Sequence, residues 1–155
     1  MIENSQKNFD VAFCAVRKID CRRKVIFDQL INKGLKVINV IGFHEDRDKK
    51  IAEAKILVNI HYDCDYQIYE HLRCDRWSLS GLLVITEESL SDRLLDTKDL
   101  IIVRKYDNLV KTICQTLKNY QKHYNSYKKK LGLLKHKIIN ERNKCFDQVW
   151  EKIGH

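Results

Sequence analysis

"AKILVNIHYDCDYQIYEHLRCDRWSLSGLLVITEES" (Ala54–Ser89) decides the fold. "ILVNIHY" and "LLVITEES" are apolar runs rich in branched residues, the signature of strands buried on both faces. Between them "DYQIYEHLRCDRWSLSG" has helical spacing, with Asp65 as candidate cap and Gly81 as candidate terminator. A strand, a helix and a second strand within 36 residues make a parallel crossover unit.

The same alternation extends in both directions. "VAFCAV" (Val11–Val16) reads as a first strand. "DCRRKVIFDQLINKG" follows as a helix, with Asp20 as its cap, Val25, Leu30 and Ile31 at helical spacing, and Gly34 as its stop. "KVINVIGF" (Lys36–Phe43) is a second strand, and "EDRDKKIAEAK" (Glu45–Lys55) is a short helix with acids early and lysines late, as the helix dipole favours. "SDRLLDTKD" reads as a loop or a short helical turn, and "LIIVRKY" (Leu100–Tyr106) is a fifth strand. The expected fold is α/β, a Rossmann-like doubly wound and mainly parallel five-stranded sheet with C-terminal helices. From Asp107 only helical spacing remains, with Leu109, Ile113 and Leu117 on one face. Gly132 is read as the break between two helices, the second bearing Ile138, Cys145, Val149 and Ile153 as apolar points.

The chain has 155 residues, enough for one compact domain with an ordinary core. We divide it into a Rossmann-like domain over 1–117 and a basic helical segment over 118–155, expected to pack on it. The net charge of +8 is uneven: residues 118–155 hold ten Lys and Arg against three Asp and Glu, whereas the first 117 hold nineteen against eighteen. A basic tail suits a nucleic acid, an acidic protein or a solvated surface. Tyr120, Tyr124 and Tyr127 interleave with its lysines and share one helical face, which favours packing against the body over stacking on bases. No apolar run approaches the length of a membrane span, and the polar opening "MIENSQKNFD" does not resemble a signal peptide. Six cysteines without CxxC spacing then read as reduced thiols of an intracellular, cytoplasmic protein. "HYDCD" gathers His61, Asp63, Cys64 and Asp65 but lacks a zinc spacing, so no metal is expected.

In doubly wound sheets ligands bind beyond the carboxyl ends of the strands. That rule selects Arg17 and Lys18, His44, His61 to Asp65, Thr86 to Ser89, and Lys105 to Asp107. Glu70, Arg73 and Trp77 share one face of the third helix, with Ile68, Leu72 and Leu79 expected to face the sheet. A carboxylate accepts two hydrogen bonds from vicinal hydroxyls, and arginine forks fit phosphate oxygens. A solvated Glu70–Arg73 pair explains the same spacing.

The ordered set Arg47, Asp48, Ala54, Lys55, Asn59, His61, Glu70, Arg73, Gly81 and Glu87 resembles the C-terminal, donor-binding half of group 1 glycosyltransferases of the GT-B fold. The resemblance covers about residues 9–120. It implies a nucleotide-sugar donor, with Glu70 on the ribose, and Asn59 and His61 lining the pocket. Glu87 matches the acidic residue after the next strand. Arg73, Arg17, Arg22 or Arg23 would meet the diphosphate. It implies no cofactor and no catalytic metal, the nucleotide sugar being a substrate, and a catalytic base on another half or a partner protein that binds the acceptor. Two departures stand out: the Glu70–Gly81 spacing is longer than in the commonest members, and no Gly-rich phosphate loop is present. The alternative is a non-catalytic α/β binding module whose basic tail contacts nucleic acid or an acidic protein partner.

Overall fold

The computed structural model describes residues 5–14, 21–42, 44–63, 65, 67–90 and 97–153. Its elements are β1 (Phe9–Cys14), α1 (Cys21–Asn32), β2 (Val37–Val40), α2 (His44–Ala52), β3 (Ala54–Asn59), α3 (His71–Leu79), β4 (Leu83–Glu87), β5 (Ile101–Arg104), α4 (Leu109–Lys118) and α5 (Tyr120–Ile153). The five strands form one sheet in the order β2-β1-β3-β4-β5, every pair parallel. This is the doubly wound, Rossmann-like α/β fold expected from the alternation. Ala12, Phe13, Ile56, Leu57, Val58, Val84 and Ile85 are buried, as strands covered on both faces require.

Two glycines stop helices where the sequence places them. Gly34 (φ 78°) and Gly81 (φ 105°) adopt left-handed backbone. In each case the glycine N–H and the next residue's N–H return to the last turn: Gly34 to Ile31 and Leu35 to Leu30, Gly81 to Ser78 and Leu82 to Trp77. That double return satisfies carbonyls the helix end would leave open.

Three expectations are corrected. First, α3 starts at His71 with Glu70 as its N-cap residue, not after Asp65. Its phase follows: Cys74, Trp77 and Ser78 are buried, whereas Ile68 and Leu72 face outward, Leu72 being 92% exposed. Leu72 and Arg76 lie one turn apart on the same face, so burying Leu72 would draw the Arg76 charge toward the core. Second, α1 buries Ile26 and Leu30 and leaves Val25 and Ile31 exposed. Third, the C-terminal helices part at Asn119 (φ −116°, ψ 32°), and Gly132 lies inside α5. Glycine in a helix costs about 1 kcal/mol but does not break it unless the backbone turns left-handed. The expected segment between β4 and β5 falls largely outside the described residues.

α5 crosses the rim where β4 and β5 begin. The Tyr127 hydroxyl donates to the carbonyl of Ser78, and Lys130 Nζ to that of Asp99 at 3.2 Å. Tyr120, Tyr124 and Tyr127 stack in sequence, with centroids 5.4 and 5.9 Å apart, and pack against the core. Tyr127 and Leu131 are buried, but every described side chain from Lys135 to Trp150 is exposed. Among the described residues no helix is long and apolar enough to cross a membrane.

At the amino end of β1, Asp10 accepts from Lys55 Nζ at 2.7 Å and from the Lys36 N–H at 3.0 Å. Burial alone would raise its pKa, but these bonds and the two lysine charges outweigh it and hold the carboxyl below its usual value. A depressed carboxylate contributes stability above its unfolded pKa of about 3.9, lost as pH falls through the folded value. Asp10→Asn is therefore expected to lower the thermal midpoint at pH 7 and to flatten its decline below about pH 4. Calorimetry of the two proteins across that range checks this, and parallel pH profiles would contradict it.

Candidate functional site

Chain order reverses beside β1: β2 lies on one side and β3 on the other. At such a switch point the loops leaving the two strands diverge and open a crevice above their carboxyl ends. Cys14 ends β1 and Asn59 ends β3 at this place. The buried Asn59 amide donates to Thr86 Oγ1 at 3.2 Å and accepts from Arg73 Nη1 at 3.0 Å. Arg73 Nη1 also reaches Glu70 Oε2 at 2.8 Å, and Arg23 Nη2 lies 3.9 Å from Glu70 Oε1. Arg23 is aimed by its Nε, which donates to the Ile60 carbonyl at 2.9 Å. The Glu70 carboxylate thus sits between two guanidinium groups, with side-chain exposures of 32% for Glu70, 20% for Arg73 and 12% for Arg23. It makes no side-chain cap on α3.

α2 supplies the other wall. Arg47 donates through Nε and Nη2 to Asp48 Oδ1 at 3.0 and 2.9 Å, and Arg76 donates to the other Asp48 oxygen. The field of this group reaches Cys14. Burial pushes the Cys14 thiol up; Arg73 and Arg47 act against that, and Asp48 and Glu70 with it.

Beneath the mouth lies a clasp. Arg22 Nη2 donates to Glu87 Oε1 at 2.6 Å and Nη1 to Oε2 at 3.2 Å. Glu87 Oε2 also accepts the His61 N–H at 3.0 Å. Arg22 Nη1 lies 3.4 and 3.3 Å from the carbonyls of His61 and Asp63, and the guanidinium stacks 4.4 Å from the Tyr106 ring centroid. The Tyr106 hydroxyl returns a bond to the Arg22 carbonyl at 2.8 Å. His61 is buried, its Nε2 2.9 Å from the Glu88 carbonyl.

The structure therefore sorts the eight sequence-predicted residues. Glu70, Arg73 and Arg23 meet at the mouth. Asn59, His61, Glu87 and Arg22 form the layer that holds the mouth in place. Arg17 lies outside the described residues. The spacing did not reveal the Arg47–Asp48–Arg76 chain, because nothing local shows that α2 and α3 lie side by side. It also missed Asp75, which accepts from Tyr69 Oη at 2.8 Å, Thr97 Oγ1 at 2.5 Å and His71 Nδ1 at 2.9 Å. The helical i, i+4 spacing of His71 and Asp75 was the available signal. This network fastens the segment before α3, and so Glu70, to the turn before β5. Among the described residues no group of three or more His, Cys, Asp or Glu side chains could hold a metal ion.

The chain is similar to three proteins of Acanthamoeba polyphaga mimivirus, each named only as uncharacterized. It is 44% identical to protein L138 over 124 residues, 77% of this chain and 14% of that protein. It is 37% identical to protein L137 over 126 residues, 79% of this chain and 17% of that protein. It is 30% identical to protein L140 over 153 residues, 96% of this chain and 50% of that protein. The chain thus spans half or less of the length of these relatives. No family model and no solved structure matches it.

Glu87→Ala should leave Arg22 partly buried and without its carboxylate. We expect a loss of about 2–3 kcal/mol, below the range for fully buried pairs because Arg22 retains some solvent. Denaturant titration measures it, and a loss under about 0.5 kcal/mol would remove the clasp from the fold's supports. The thiols give a second check. Burial holds the Cys74 thiol up, at about 12, while Cys145 is exposed. Maleimide at pH 7 should label Cys145 in the folded protein and Cys74 only after denaturation.

Proposed function

We propose that the β1/β3 crevice binds a nucleotide-sugar donor, and that the domain serves glycosyl transfer to an acceptor held elsewhere. The observation that carries this reading is the Arg23–Glu70–Arg73 group at the switch point, one carboxylate and two guanidiniums, each partly exposed. Glu70 is suited to accept both ribose hydroxyls. Arg73 uses Nη1 for Asn59 and Glu70 and has no partner for Nε or Nη2 among the described residues, which leaves a fork for a diphosphate. Arg23 and Arg47 add positive charge at the same mouth. In transfer, these cations would offset the charge that gathers on the departing nucleoside diphosphate. The resemblance in the Arg47–Glu87 stretch supports the donor as the ligand class.

A second reading rests on α5. Residues 118–137 hold seven lysines and no acid, a composition that attracts nucleic acid or an acidic protein without any catalysis. Binding of that kind would fall steeply with salt and would ignore Glu70.

Thermal unfolding with a panel of nucleoside diphosphates and their sugars separates the two. A ligand at 100 times its Kd adds about 2.7 kcal/mol, a rise of roughly 5–10 °C for this chain length. The expected result is a shift with one donor that is lost in Glu70→Ala and Arg73→Ala, with protection of Cys14 from alkylation. No shift with any nucleotide at millimolar concentration would overturn the donor reading.

A further inference from the structure

α5 has 34 residues, about 51 Å of helix. Tyr120, Tyr124, Tyr127, Leu131 and Leu134 pack it on the body. The same stripe continues beyond the body. At 100° per residue, Leu134, Ile138, Cys145 and Val149 fall within about 60° of one another and in line with Tyr127 and Leu131. Ile138 and Val149 are exposed, as is Cys145. Ile139, Phe146 and Trp150 widen the apolar face, Phe146 and Trp150 stacking with centroids 6.1 Å apart. Most of a helix's stability in proteins comes from packing its amphipathic face, and beyond Leu134 this face is exposed.

We infer that a second copy of this chain covers this face, in an antiparallel pair of α5 helices. The stripe is self-complementary about a point between Glu141 and Arg142. Reversing the helix sets Ile138 opposite Cys145 and Arg142 opposite Glu141, with Val149 meeting the open side of half-buried Leu134 at the edge of the body, and each match occurs twice about the twofold axis. The charges select the same partner and direction. Residues 138–150 carry Arg142 and Lys144 against Glu141 and Asp147, a neutral balance that suits self-association and offers little to an anionic surface. Residues 118–137 carry seven lysines and no acid, so a parallel pair would align lysine against lysine. The antiparallel pair sends these segments, and the two bodies, to opposite ends.

Sedimentation of the full chain tests the pairing, and cysteine trapping tests the register. The wild type is expected to be a dimer at tens of micromolar. Val149→Glu is expected to be a monomer with an unchanged thermal midpoint of the body. Arg142→Glu should raise the dimer Kd at least tenfold by gathering four acids at the axis, and Glu141→Arg combined with Arg142→Glu should restore it. Mild oxidation of Ile138→Cys should yield a covalent dimer through Cys145 of the other copy, lost when Cys145→Ser is added. Cys145 should not bridge to its own counterpart, which lies seven residues along the pair, beyond disulfide reach. A wild type monomeric at 100 µM, including one that instead sediments with anionic vesicles or an oligonucleotide, would overturn the proposal. A Cys145–Cys145 bridge would overturn it too.

Discussion

The ion pair between Arg22 and Glu87 holds the working rim of this domain together. Glu87 ends β4 on the inside of the fold, where an unpaired carboxylate would be costly. It is satisfied from two directions, by the fork of Arg22 on α1 and by the backbone N–H of His61 after β3. Arg22 in turn stacks on Tyr106, just past β5. One carboxylate therefore fixes the loop after β3, the start of α1 and the segment after β5 relative to each other. Breaking it would leave the strands paired and let their carboxyl ends drift apart.

The mouth above is built on a different principle. Its charges are paired, yet the pairs reach solvent through Glu70 and Arg76, whose side chains are 32% and 51% exposed. Glu70 stands between Arg73 and Arg23, and Asp48 between Arg47 and Arg76. Carboxylates hold the guanidinium groups in place and leave a part of each open to solvent. On the proposed donor reading, a diphosphate would meet guanidiniums already held by carboxylates, so less side-chain entropy would be lost on binding. Asn59, buried and bonded on both sides of its amide, does for Arg73 what the Ile60 carbonyl does for Arg23.

Strand positions and helix stops were legible in the sequence because they rest on local chemistry. Branched apolar runs mark the strands, and Gly34 and Gly81 supply backbone that other residues resist. The start and phase of α3 were not legible. Ile68, Leu72 and Leu79 formed a plausible apolar face, but only Leu79 packs on the core; the burial of Trp77 and the charge on Arg76 turn Ile68 and Leu72 outward. Gly132 looked like a break because composition alone does not tell a helical glycine from a left-handed one. At the site, single residues were legible and their depth was not. Glu70 and Arg73 were linked by spacing on one helix, whereas the pairing of the residues around them depends on contacts between elements far apart in sequence, such as Arg22 with Glu87.

The bond from Tyr127 to Ser78 has a mechanical side. It lies near the fulcrum of a rigid rod: Trp150 stands 23 residues farther on, about 34 Å along α5. A tilt of about 5° at that fulcrum sweeps the Trp150 end through roughly 3 Å, the width of an atomic contact. Motion too small to disturb the sheet is thus magnified at the tip, and whatever grips the tip exerts the same leverage in reverse on the last turn of α3, whose first turn carries Arg73.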